Sequence, residues 1–255
     1  MMVGDEAACR LALVALQERV EQLLLAELSL EAAPSGSASP WAALVPRFRA
    51  LRESLTSEGV AGELALRAYE AAADVCLRAG DLAEFLKCQQ RLVSELYPDA
   101  VARGLPAERW PELAACAALY FACAGGGTPG EMTAALRATP RHLLRTAPVQ
   151  CALRALCALA RADGAAFCAA AQHPHAPPLL RLLMARRLPA ARHAALRAAA
   201  RAYRTLPLCA VAKALHLPTE AVAAVLQEAA AAPGAPQQLA AAAARDHTNE
   251  LVFVA

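Results

Sequence analysis

The chain has little with which to build a sheet. Aromatic residues are only 4% of its 255 positions and β-branched runs are nearly absent, which disfavours strand-rich folds. The opening MMVGDEAACR places Asp5 and Glu6 where a signal peptide wants basic charge, so secretion is not expected. The longest charge-free stretch, Leu113 to Gly130, is broken by Gly125-Gly126-Gly127 and Pro129. It keeps about 12 apolar-type residues where a membrane span needs about 20, and no span is expected. No C-x-x-C pair occurs among the nine cysteines, Cys9, Cys76, Cys88, Cys116, Cys123, Cys151, Cys157, Cys168 and Cys209. They sit mostly in apolar helical faces and read as small core residues of a reducing compartment. Acids are missing from one long interval. Between Glu131 and Glu220 only Asp163 is acidic, against 13 Lys and Arg, whereas residues 1–131 carry 18 Asp and Glu against 11 Lys and Arg. The formal charge of +2 therefore hides an acidic front and a strongly basic later part. That asymmetry points to a polyanion or an acidic protein segment as partner, with a plain solvated helix surface as the alternative.

What is abundant is alanine within an apolar content of 58%. Alanine is the best helix former and buries little area, so closely approaching helices with Leu, Val and Phe contacts are expected. The fold class expected is all-α. Its clearest unit is Tyr69 to Tyr97. Tyr69, Ala73, Cys76 and Leu77 recur at three- and four-residue steps, as do Phe85, Cys88, Leu92 and Leu96, giving each half one apolar face. Between them Gly80 suits the left-handed position that ends a helix, and Asp81 suits the cap of the next. Such a hairpin cannot bury its own apolar face and calls for stacked neighbours, which makes a helical-repeat, TPR-like solenoid.

Along the chain, an amphipathic helix over residues 7–33 carries Leu13, Leu16, Val20, Leu23 and Leu24 on one stripe, followed by a Ser- and Pro-containing linker to Pro40. Further helices are expected over Trp41–Ser57, from about Ala61 or Glu63 into the hairpin, over Pro111–Ala124 and over Glu131–Ala138. A second hairpin, Val149–Arg161 with Ala165–Gln172, turns around Asp163-Gly164. Leu179–Thr205 reads as one basic helical pattern, with His193, Arg197, Arg201 and Arg204 along one face and Leu196, Ala199 and Tyr203 along another. LCAVAKALHLPTEAVAAVLQEA then resembles the paired helices of a winged-helix module. Leu208–Leu215 is its first helix, His216-Leu217-Pro218 the turn and Thr219 the cap, and Leu251–Val254 has strand character. The domains expected are 1–40 (helix and linker), 41–205 (helical repeat) and 206–255 (winged helix).

The run FRALRESLTSEGV (Phe48 to Val60), with the later pairs, resembles the GANP-type family of PCI proteins. Within it, the branch of the leukocyte-receptor-cluster member and the yeast Thp-type transcription and splicing factors is the nearest. The pattern is met at Arg52, Leu55, Thr56, Gly59, Tyr69, Glu70, Gly80, Asp81, Glu84, Phe85, Cys88 and Gln89. Glu53-Ser54 departs from a usual Gln-Asp, Asp74 stands where a basic residue is common, and the cysteine-rich Cys-Pro motif of the export-scaffold branch is absent from the N-terminus. The resemblance implies a PCI-type winged-helix ending and a non-catalytic scaffold in a nuclear complex acting in transcription-coupled mRNA processing or export. The partners it implies are another PCI-domain subunit and the small acidic DSS/SEM protein. A similar hairpin in the proteasome-lid subunit of the same superfamily makes a lid-like structural subunit the alternative.

Enzyme chemistry finds no support in the pattern. The Gly125–Gly130 loop lacks the Gly-Lys-Ser/Thr of a phosphate loop. His173-Pro174-His175 offers two histidines where zinc needs three or four ligands, so no metal site and no cofactor are expected. Cys209 and His216 are read as a core cysteine and a turn histidine rather than a dyad. The helix after Pro218 has no Arg or Lys, which disfavours major-groove reading. The candidate nucleic-acid residues are Arg186, Arg187, Arg192, Arg197, Arg201, Arg204 and Lys213, for weak, shape-led contact with RNA or single-stranded nucleic acid.

Overall fold

The computed structural model describes residues 3–29, 39–125, 128–243 and 250–253. The fold is all-α. The chain divides into two compact units, Met1–Ala117 and Ala118–Ala255, with the division inside one helix.

The first unit holds α1 (Val3–Ser29), α2 (Val45–Ser57), α3 (Glu63–Ala79), α4 (Leu82–Arg91), α5 (Tyr97–Ala102) and the start of α6 (Trp110–Ala124). Prolines set several boundaries. The sequence pattern opens the second helix at Trp41, but α2 begins at Val45 because Pro46 fits only the first turn, where its missing donor costs nothing. Trp41 is instead buried in the preceding turn, beneath the Arg78 guanidinium at 5.0 Å. Pro98 does not end the hairpin. Residues Leu92–Leu96 form one π-type turn in which Tyr97 N–H reaches Leu92 O, and the rod continues into α5. The wider turn accommodates a proline that cannot donate to Ser94.

The expected α3–α4 turn is present in detail. Gly80 has φ +80°, and Asp81 N–H donates to Cys76 O at 2.9 Å. The Asp81 carboxylate accepts from Glu84 N–H at 3.0 Å. Phe85 and Cys88 are fully buried against α3, and burial of such a phenylalanine contributes about 1.5–3 kcal/mol.

The second unit adds α7 (Pro129–Ala138), α8 (Ala147–Ala160), α9 (Gly164–Ala171), α10 (Pro178–Ala185), α11 (Leu188–Ala202), β1 (Thr205–Pro207), α12 (Leu208–Leu215), α13 (Val222–Ala231), α14 (Gln237–Ala243) and β2 (Glu250–Val252). The α8–α9 hairpin repeats the α3–α4 geometry, one residue earlier than expected. Ala162, not a glycine, takes the left-handed position at φ +54°, and Asp163 caps α9 through Ala166 N–H at 2.9 Å. Gly164 lies inside α9, where a Cβ would stand 2.0 Å from Ala191 O on α11. Its role is close helix approach rather than turning.

The basic pattern from Leu179 is two helices, because Pro189 forces a restart after Arg186 and Arg187. It also ends early. Tyr203 is extended and 55% exposed, since the chain leaves α11 at Ala202 to form β1. β1 pairs antiparallel with β2, Leu206 opposite Leu251, and Phe253 N–H extends the ladder to Arg204 O at 2.7 Å. The expected strand at Leu251–Val254 is thus seen over Glu250–Val252, and Val254 lies outside the described residues. Thr219 makes no cap. Pro218 precedes a single tight turn, Thr219–Ala221, before α13. The helix Leu208–Leu215 and the segment Thr219–Ala231 meet at 89°, with His216 left-handed at φ +51°. One core gathers Leu196, Val211, Leu215, Val222, Leu226, Leu239, Leu251 and Phe253. It therefore begins on α11, ahead of residue 206. Among the described residues, no single helix is long and apolar enough to cross a membrane.

Candidate nucleic-acid interface

The resemblance-bearing residues of the first unit converge on architecture. Glu84, at the N-terminus of α4 and 3% exposed, receives Arg52 at 2.5 Å and Arg49 and Lys87 at 2.7 Å each. Burial alone would raise its carboxyl; the Lys87, Arg52 and Arg49 hydrogen bonds outweigh it and bring the carboxyl down to about 2. Arg52 also lies over the Tyr69 ring at 5.6 Å. Thr56 Oγ1 donates to Arg52 O, which leaves Tyr69 OH to donate to Thr56 at 3.2 Å. Leu55 is buried and Gly59 turns the chain at φ +65°. Tyr97 OH donates to Glu70 at 2.6 Å and its ring stacks on Trp110 at 5.8 Å. Gln89 Nε2 reaches Leu113 O on α6 at 3.4 Å. Asp74, the departure from the family pattern, receives both Arg109 nitrogens at 2.8 Å.

The two units differ in how their cations are used. Nine of the eleven Lys and Arg ahead of Ala118 are in ion pairs, Arg10, Arg49, Arg52, Arg67, Arg78, Lys87, Arg91, Arg103 and Arg109. Among the described residues of the second unit, none of the 13 Lys and Arg between Glu131 and Glu220 is in an ion pair. His193 Nε2 of α11 lies 3.8 Å from Glu228 of α13, an ion pair only when the imidazole is protonated. The first unit pairs most of its cations with its own, more numerous acids; the second leaves its cations without acidic partners.

Of the seven candidates, Arg186 and Arg187 are exposed at the α10–α11 junction, Arg201 is exposed on α11, Arg204 is exposed just before β1, and Lys213 is exposed on α12. Arg197 is half-buried on α11. Two corrections apply to the expected stripe. Arg204 is off the helix, and His193 faces α13. Arg192 does not present its charge freely. Its Nε donates to Leu215 O at 3.3 Å, so it joins α11 to the end of α12.

Among the described residues no cysteine is in a disulfide; seven of the nine are buried, while Cys157 and Cys209 are exposed rather than in the core. Cys209 and His216 stand at opposite ends of α12, about 10 Å apart along the axis. Among the described residues no group of three His, Cys, Asp or Glu is placed to hold a metal ion. The Thr128–Glu131 capping box starts α7 two residues earlier than expected.

Sequence reasoning missed how Arg154 and Arg181 bracket the His173–His175 turn, although both lie in the acid-poor interval that could have pointed to them.

Residues 44–231 match the model of the SAC3/GANP family. The match runs from the start of α2 to the last residue of α13. No curated protein matches the chain.

Proposed function

Because the chain belongs to the SAC3/GANP family, we propose that it is a non-catalytic scaffold subunit of a nuclear complex acting in transcription-coupled mRNA processing or export. Its binding partners are another PCI-domain subunit, the small acidic DSS/SEM protein, and RNA. The family match supports the scaffold role. The observation that carries the RNA contact is the run of 13 Lys and Arg without an ion pair among the described residues. A polyphosphate chain supplies the missing counter-charge, and release of its counterions drives association.

The strand, the perpendicular helix pair and the returning strand support a winged-helix ending. The segment entering at Thr219 has only Glu220, Gln227 and Glu228 as its polar long side chains. This module therefore serves protein pairing along its sheet edge, with nucleic acid on the neighbouring basic surface.

Affinity purification of the full chain from native nuclear extract tests the scaffold reading. Recovery of a PCI partner with the DSS/SEM protein and export or splicing factors is the expected result. Recovery of proteasome lid and base subunits instead would sink it.

A further inference from the structure

A turn over residues 172–177 joins α9 to α10. Arg154 of α8, His173 and His175 of the turn, and Arg181 of α10 meet there. Arg181 Nη2 donates to His173 O at 3.3 Å and Pro174 O at 2.9 Å, which holds the turn in shape. His175 backbone N–H donates to His173 Nδ1 at 3.2 Å. The two imidazoles lie 5.4 Å apart.

A neutral imidazole carries one proton, and in the tautomer whose Nδ1 accepts from His175 that proton is on Nε2. Nε2–H and the Arg154 Nη1–H groups, with their nitrogens 3.3 Å apart, are then donors that face each other and cannot bond. Protonation of His173 adds a donor and removes none. In the Nε2–H tautomer and in the protonated ring this spot offers donors only, and what it lacks is an acceptor. Neither Arg154 nor Arg181 is in an ion pair among the described residues.

We propose that this turn is a phosphate-binding site in which one oxyanion accepts from Arg154 Nη1–H and His173 Nε2–H together. It rests on the reading of the basic unit as an RNA-contacting surface, and it names a place outside the seven candidates. The occupant is a backbone phosphate of single-stranded RNA. The exposed His175 ring beside it presents a face on which a base stacks, and exposed Arg145 and Arg161 extend the positive field along the same acid-poor interval.

The test is fluorescence anisotropy with the full chain and a labelled oligouridylate, with a phosphoserine peptide in parallel. Arg154→Ala and His173→Asn each weaken RNA binding by about tenfold, the loss of one charge-assisted hydrogen bond. Asn keeps an acceptor near the Nδ1 position, so the turn survives while the donor is lost. His173→Gln restores a donor near Nε2 and stays within about threefold of the parent chain. If all three variants bind as the parent does while Arg197→Glu with Arg201→Glu loses binding, the site is overturned and the basic-surface reading stands. If the parent chain binds no RNA, both fall. Loss of phosphoserine-peptide binding alone overturns the RNA assignment.

Discussion

Arg52 on α2 and Glu84 on α4, 32 residues apart in sequence, meet at 2.5 Å inside the first unit with both side chains buried. This pair ties the segment before the hairpin to the hairpin itself. It also makes the unit acid-sensitive. The folded Glu84 carboxyl is depressed from 4.5 to about 2, so its contribution is fully present above pH 4.5 and is lost as pH falls toward 2. The shift corresponds to about 3 kcal/mol. Glu84→Gln is expected to destabilise the chain by about that much at pH 7, because Arg52 is left buried without its counter-charge. Urea unfolding from pH 7 down to pH 2 checks this. The variant should show a flatter acid limb than the parent.

Ala162 occupies in the second hairpin the position that Gly80 occupies in the first. Ala162 N–H donates to Leu159 O at 3.0 Å and Asp163 N–H to Ala158 O at 2.8 Å, as Gly80 does to Leu77 and Asp81 to Cys76. Only the glycine adopts that conformation without a Cβ penalty. Ala162→Gly is therefore expected to stabilise the protein by about 0.5–1 kcal/mol, read as a raised thermal midpoint.

Gly164 should respond in the opposite direction. Its missing side chain lets α9 approach α11, and an added methyl would meet Ala191 O at 2.0 Å and Ala195 N at 2.7 Å. Both are backbone atoms and cannot rotate away. Gly164→Ala is expected to cost about 2 kcal/mol or more, and thermal melting beside Ala162→Gly separates the two roles that the adjacent positions play.

Local chemistry explains why the α3–α4 hairpin is legible in the sequence. The Gly80 turn, the Asp81 cap and the Phe85 and Cys88 positions each act within a few residues. The helix break before Pro189 and the continuation through Pro98 are not legible there, because one proline is met by a restart and the other by a π-type turn. β1 is a strand only because Leu251 pairs with Leu206 across more than forty residues. The basic interval is plain in the composition, but which of its cations serve the fold is not. Arg192 and Arg197 look alike in sequence, and only the crossing of α11 with α12 assigns Arg192 to Leu215 O.

That difference sets the last prediction. Arg197, Arg201 and Arg204 have no ion pair among the described residues, so reversing all three to Glu should weaken RNA binding by well over tenfold. It should also lower the slope of log K against log salt by about 2, near 0.7 for each single-strand phosphate that no longer meets a cation. Arg192→Ala should leave that slope unchanged and instead lower the thermal midpoint, since it removes the hydrogen bond to Leu215 O. Anisotropy titrations from about 50 to 200 mM salt, paired with melts, test both. A slope unmoved by the triple reversal would mean that this face meets protein rather than phosphate, because every phosphate neutralised by an arginine releases counterions and so enters the slope.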